Sequence, residues 1–200
     1  MVYERGITMD LLQECARAFE RLLPFRYHFT IGRKGKMLKF TLDFDAADFH
    51  HLAGLHKLKD NVRFLTGKRV DIFNMILSGK LTYAQAARSS YFSEMESRIP
   101  PLVGLESFLD SNKIVFRFNE KVQKFSLVKA DYLLENSYKG DDIYLFLSQR
   151  TGAETQVCRS FFPKQKLDYT SGQPRYTLLK KEKMDTKTGE ITIQYDRLTP

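Results

Sequence analysis

The sequence predicts an α+β domain. Three observations carry that expectation. Apolar residues recur at three- and four-residue steps near the start and again across residues 46–110. A hairpin pattern interrupts them at residues 25–44. From Lys113 onward, apolar and polar residues alternate in short runs separated by turns. At 200 residues, with no internal repeat and no Gly/Ser linker, the chain is expected to form a single unit over 1–200. A helical layer would occupy about 1–110 and an antiparallel sheet about 113–197.

The elements follow in order. Leu11, Leu12, Cys15, Ala16, Phe19, Leu22 and Leu23 form one helical stripe, with Thr8 or Asp10 as cap and Pro24 as stop. FRYHFTI and MLKFTLDF flank the basic turn GRKGK, where Gly32 and Gly35 are expected to supply positive φ. FHHLAGLHKL is helical in pattern, and Gly54 either ends that turn or admits another backbone. VDIFNMILSG is a helix stopped by Gly79, and LTYAQAARSS one capped by Thr82. Two short helical runs flank Pro100 and Pro101, read as a breaker. KIVFRF, QKFSLVKA, YLLENSY, DDIYLFLSQR, ETQVCRSFFP, RYTLLKKEKM and EITIQYDRL then read as extended segments, about five or six of them joining a curved antiparallel meander.

Composition narrows the function classes. Hydrophobic residues are 42% and aromatics 13%, enough for a packed core. No apolar run approaches the roughly 18 residues that cross a bilayer, so no membrane role is expected. The first residues, MVYERGITMDLLQE, lack a signal-like apolar stretch, and a cytoplasmic location is the expectation. Two cysteines, Cys15 and Cys158, read as buried reduced thiols. Lys plus Arg number 32 against 24 acids, a formal charge of +8. That excess fits an anionic partner, RNA or DNA first.

The candidate chemistry lies in two places. His50, His51 and His56 cluster within FHHLAGLHKL, and imidazole titrates nearest neutrality. On a continuous helix, His56 would centre the apolar face, His50 would sit beside Lys57 on the polar side, and His51 would take the edge. An edge residue is held by packing yet reaches a cleft, so His51 is the candidate acid or base. Zinc ligation is not supported, because adjacent histidines diverge on a helix and no HExxH follows. No cofactor or metal is expected. There is no GxSxG, Walker loop or GxGxxG. The second place is the strands, where Arg150, Arg159 and Ser160 lie near strand ends and Arg175, Tyr176 and Lys180 follow in a third strand. Arginine holds phosphate through two donors and stabilises a phosphorane, and strand aromatics that face outward stack on bases.

DFHHLAGLHKL, set after a helix and a hairpin, resembles the hallmark of a PBECR-type family, the fourth of that series. IYLFLSQR and CRSFFP resemble its sheet half, so the likeness spans residues 15–183. The family comprises phage-associated relatives of Barnase, EndoU, colicin and RelE nucleases. The resemblance implies a BECR-like curved sheet under a helical layer, metal-independent RNA cleavage through the 2′-hydroxyl, and a toxin-like setting in a phage or mobile element. Position by position, His51 falls on the family's His-Leu-x-Gly-Leu, and Arg150 and Arg159-Ser160 match the polar strand ends. No Glu stands where a Barnase-like base would be, and the helices of residues 70–109 are additional. The catalytic set is therefore read as His51, Arg150, Arg159 and Ser160, with His50, Lys57, Arg175, Tyr176 and Lys180 contacting substrate. RNA is the expected partner, together with a cognate antitoxin or immunity protein. Two other readings are a nucleic-acid-binding module without chemistry and a mobile-element protein-interaction factor.

Overall fold

A computed structural model describes residues 10–122 and 128–199. Helix α1 (Leu11–Glu20) starts where the Asp10 carboxylate accepts the Leu12 and Gln13 amides at 3.1 and 3.3 Å. Thr8, the other expected cap, lies outside the described residues. Strands β1 (Phe25–Arg33) and β2 (Lys36–Leu42) form the expected hairpin. Its two turn residues are Lys34 and Gly35, at φ 49° and 75°. Gly32 does not supply positive φ. It sits within β1, where an added Cβ would lie 2.8 Å from Leu179 Cδ1, the movable tip of that side chain.

Helix α2 (Asp48–Leu52) ends before Gly54, which takes φ 77°. A 3-10 turn (Leu55–Lys57) follows, so the chain does not continue as one helix through His56. Short helices succeed one another: α3 (Val62–Leu65), α4 (Arg69–Leu77), α5 (Tyr83–Ala86), α6 (Ser93–Glu96), α7 (Ile99–Leu102) and α8 (Leu105–Ser111). Thr82 caps α5 in a reciprocal box with Gln85. Pro100 and Pro101 open α7 rather than break it, because the first helical positions need no amide donor.

Strands β3 (Ile114–Arg117), β4 (Tyr132–Tyr138), β5 (Asp141–Gln149), β6 (Gln156–Pro163), β7 (Arg175–Asp185) and β8 (Ile191–Asp196) complete the fold. Most of the expected strand QKFSLVKA lies outside the described residues, and its remaining residues, 128–130, are not strand. The α+β class holds, but the open meander does not: seven strands close into a barrel in the order β1-β2-β6-β5-β4-β3-β7, and β8 is an extra strand. The eleven-residue β7 is the cause. One edge pairs with β1, and the other pairs with β3 and then β8. The hairpin therefore belongs to the sheet rather than to a separate helical half. Opposite it, the ring closes through one parallel register pair, Leu42 with Gln156.

Alternation on β5 divides the core. Ile143, Leu145 and Leu147 join the main cluster, which runs between the sheet and the helices. Tyr144 and Phe146 face the other way, into a smaller cluster with Phe116, Phe118 and Leu133. Cys15 and Cys158 are free and buried, as expected. Lys181 is fully buried and donates to the Leu109 and Asn112 carbonyls at the end of α8.

Candidate active site

A cleft of about 780 Å³ opens against β6, beneath α2, the 3-10 turn and α6. Each wall has a local cause. The turn at Gly54 reverses the chain so that the His56 ring stacks on His51, centroids 4.1 Å apart and planes within 13°. Arg159 is the extra residue of a bulge in β6, since Phe146 pairs with Ser160 and Leu147 with Cys158. It is exposed and lines the cleft with Ser160. Arg98 follows α6, and its guanidinium lies over the Phe162 ring at 5.1 Å. Among the described residues it has no ion pair. Lys57 also reaches the cleft and pairs with Glu94 at 3.7 Å.

The electrostatics follow from this crowding. Burial is the main cause that lowers both imidazoles. His51 falls to about 3, aided by His56 and Arg159, and His56 falls to about 4, aided by Arg98. Burial likewise lowers Arg98 and Lys57. The His56 Nδ1 is buried without a hydrogen-bond partner. The cleft thus presents two neutral imidazoles to Arg98, Lys129 and Arg159. The one carboxylate lining it, Glu94, is paired with Lys57, so cations are in excess, and an anion bound there would favour protonated imidazole.

The structure brings together His51, Arg159, Ser160 and Lys57. It separates the others. Arg150 does not face the cleft: its Nε donates to Asp43 at 2.8 Å and its guanidinium pairs with Asp48 at 2.6 Å. It holds the first turn of α2 to the ends of β2 and β5. His50 is buried, and its Nε2 lies 2.7 Å from the Phe64 carbonyl oxygen, so it faces α3 instead of the cleft. Arg175 and Tyr176 line a different hollow, of about 340 Å³. Lys180 is held by Glu182 at 2.8 Å and by Asp196 at 3.9 Å.

The sequence reading missed Arg98 and Lys129, and placed His56 in the middle of an apolar helix face. The positive φ that Gly permits at residue 54 was the available signal for His56. Nothing local marks Arg98, which reaches the cleft through tertiary packing. No group of three His, Cys, Asp or Glu side chains among the described residues is placed to hold a metal ion.

A sequence model of the family described as phage-Barnase-EndoU-ColicinE5/D-RelE like nuclease4 matches residues 11–198. No curated protein and no solved structure matches the chain. Nearly the whole described fold, cleft included, falls within the matched residues, and the chain belongs to this family of phage-associated nucleases.

Proposed function

We propose that the protein is a metal-independent endoribonuclease whose reaction runs in the His51–His56 cleft. The observation that carries the reading is the stacked imidazole pair facing two arginines that lack a carboxylate partner among the described residues. In this mechanism Arg98 and Arg159 hold the non-bridging oxygens of one phosphodiester and stabilise the charge that grows on the phosphorane. One neutral imidazole, that of His51 in the last turn of α2, takes the proton of the adjacent 2′-hydroxyl. The freed oxygen attacks phosphorus, and the P–O5′ bond breaks. His56, protonated in the presence of the phosphate, returns a proton to the leaving 5′ oxygen. The products are a 2′,3′-cyclic phosphate and a 5′-hydroxyl, and the net proton count is unchanged. Uptake by His51 and donation by His56 are concerted, so only one ring is cationic at a time, because two charged rings 4.1 Å apart repel. Ser160 and Lys57 would contact the same phosphate. Arg150 has a positioning role, acting through α2.

The family's phage association supports a toxin-like setting in the host cytoplasm, with an antitoxin or immunity protein that covers the cleft. The test is incubation with RNA in excess EDTA. Wild-type protein should produce cyclic-phosphate ends, while His51→Ala, His56→Ala and Arg159→Ala should each lose at least about a hundredfold in rate, the scale of one acid–base group. Cleavage indifferent to all three changes refutes the site. Binding without any product favours a nucleic-acid-binding module instead.

A further inference from the structure

The basic turn GRKGK lies outside the cleft, and its surroundings give it a use. Register sets Gly32 opposite Thr177, so Arg33 comes beside Tyr176, with its guanidinium 5.9 Å from the ring centroid. Lys36 pairs with Arg33 across the hairpin, and Lys34 is the first of the two turn residues between them. Lys113 lies 5.3 Å from the Tyr195 ring and lines one hollow with Arg175 and Tyr176. None of these five cations forms an ion pair among the described residues. The Glu135 carboxylate feels Arg175 only at a distance. The acids on neighbouring strands, Glu182 and Asp196, are engaged by Lys180. Unneutralised cations interleaved with tyrosine rings fit a polyanion that carries stackable bases.

This rim is joined to the cleft. Lys129 lines both the cleft and a second hollow that contains Arg117, Lys121 and Pro174. Pro174 directly precedes Arg175, and its carbonyl accepts the Arg117 amide at 3.1 Å. Between Arg159 on β6 and Arg175 on β7 the path crosses β5, β4 and β3. Four strand spacings of about 4.8 Å make roughly 19 Å, a reach of several nucleotides.

We propose that a single nucleic-acid strand leaves the cleft past Lys129 and Lys121 and is held at the barrel rim by Arg33, Lys36 and Lys113. The substrate is therefore an extended single strand rather than an isolated dinucleotide. The inference rests on the ribonuclease reading only for what happens in the cleft; the track makes its own demand on binding.

The test compares wild type with the triple variant Arg33→Ala, Lys36→Ala, Lys113→Ala, with thermal melting to check that both fold alike. The probe is a fluorescent, non-cleavable 2′-O-methyl dodecamer, with its affinity measured across a salt series. The triple variant should bind it at least about tenfold more weakly. The slope of log K against log salt should fall by about 2, since each phosphate contact on a single strand contributes roughly 0.7. Its KM for a cleavable dodecamer should rise with kcat unchanged, and its dinucleotide cleavage should match wild type. Lys121→Ala alone should produce a smaller loss of the same kind. Wild-type affinity and slope in the triple variant overturn the track, as does capture of anionic phosphatidylserine vesicles in preference to the dodecamer. A protein that cleaves no RNA, yet loses dodecamer binding in the triple variant, sinks the ribonuclease reading and leaves the track standing.

Discussion

Replacing Gly54 with alanine separates two physical demands that meet at one residue. The first is backbone conformation. At φ 77° an L side chain costs about 1–2 kcal/mol. The second is space, since an added Cβ would lie 3.0 Å from Arg98 Cδ and 3.1 Å from Met95 Cβ. Met95 is buried and gives little, so the Arg98 side chain must move off the Phe162 ring. Gly54→Ala should therefore lose about 1–2 kcal/mol in urea unfolding and, through Arg98, about 1.4 kcal/mol or more of transition-state stabilisation, a tenfold or greater fall in kcat/KM. Gly54→Asn isolates the two demands. Asparagine tolerates the left-handed region, so part of the stability returns, but its Cβ still meets Arg98 and the activity stays low. An alanine variant with wild-type stability and rate would refute the claim that this turn positions both His56 and Arg98. An asparagine variant that recovers activity along with stability would refute the steric half alone.

Three further outcomes are expected. Arg150→Met leaves Asp43 and Asp48 as partly buried carboxylates without their cation, which should cost about 3 kcal/mol or more and loosen α2, read as a lower melting temperature together with a higher KM. Because burial lowers the folded-state values of His51 and His56 to about 3 and 4, the unfolded chain binds more protons below its ordinary value near 6.5. Stability should thus be full above pH 6.5 and fall as pH drops from there toward 4, and urea midpoints across that range should flatten in His51→Gln; an equally steep decline in that variant removes the assignment. Lys181→Met deprives the Leu109 and Asn112 carbonyls of their buried donor and should lower unfolding free energy by about 1–3 kcal/mol without altering RNA affinity.

Local chemistry was legible wherever one residue decides it. Asp10, Thr82, Gly35 and Gly79 were readable because a cap or a left-handed turn depends on its own residue and the next few. Strand positions from Tyr132 to Asp196 were legible from alternation. The barrel was not. Its closure joins Leu42 to Gln156 and Phe25 to Asp185, pairings between segments whose patterns would suit an open sheet equally well. Proline also misled, since Pro100 and Pro101 read as a stop but occupy the start of α7. In the site, His51 and Arg159 were found from residue type, whereas His56 was displaced by the assumption of a continuous helix. Arg150 shows the converse error. Its chemistry suits phosphate, but two carboxylates more than a hundred residues earlier in the chain already satisfy it.

The same corner that closes the barrel also seats α2, the helix that carries His51. The Asp43 amide donates to the Gln156 carbonyl at 3.1 Å, beside the single β2–β6 register pair, and the Asp43 side chain accepts from Arg150 at the end of β5. Arg150 in turn grips Asp48, the first residue of α2, three positions before His51. Three residues after Gln156 on the same strand comes the bulge that turns Arg159 into the cleft. The spacing between the imidazole and that guanidinium is therefore set by one joint rather than by the separate stability of helix and sheet. A narrow ladder contact is weak by itself, because one register pair supplies little pairing energy. The Asp43–Arg150–Asp48 bridge strengthens it in a partly desolvated corner, where charge-assisted hydrogen bonds outweigh their exposed counterparts. Barrel closure and assembly of the cleft should then be lost together as the corner opens.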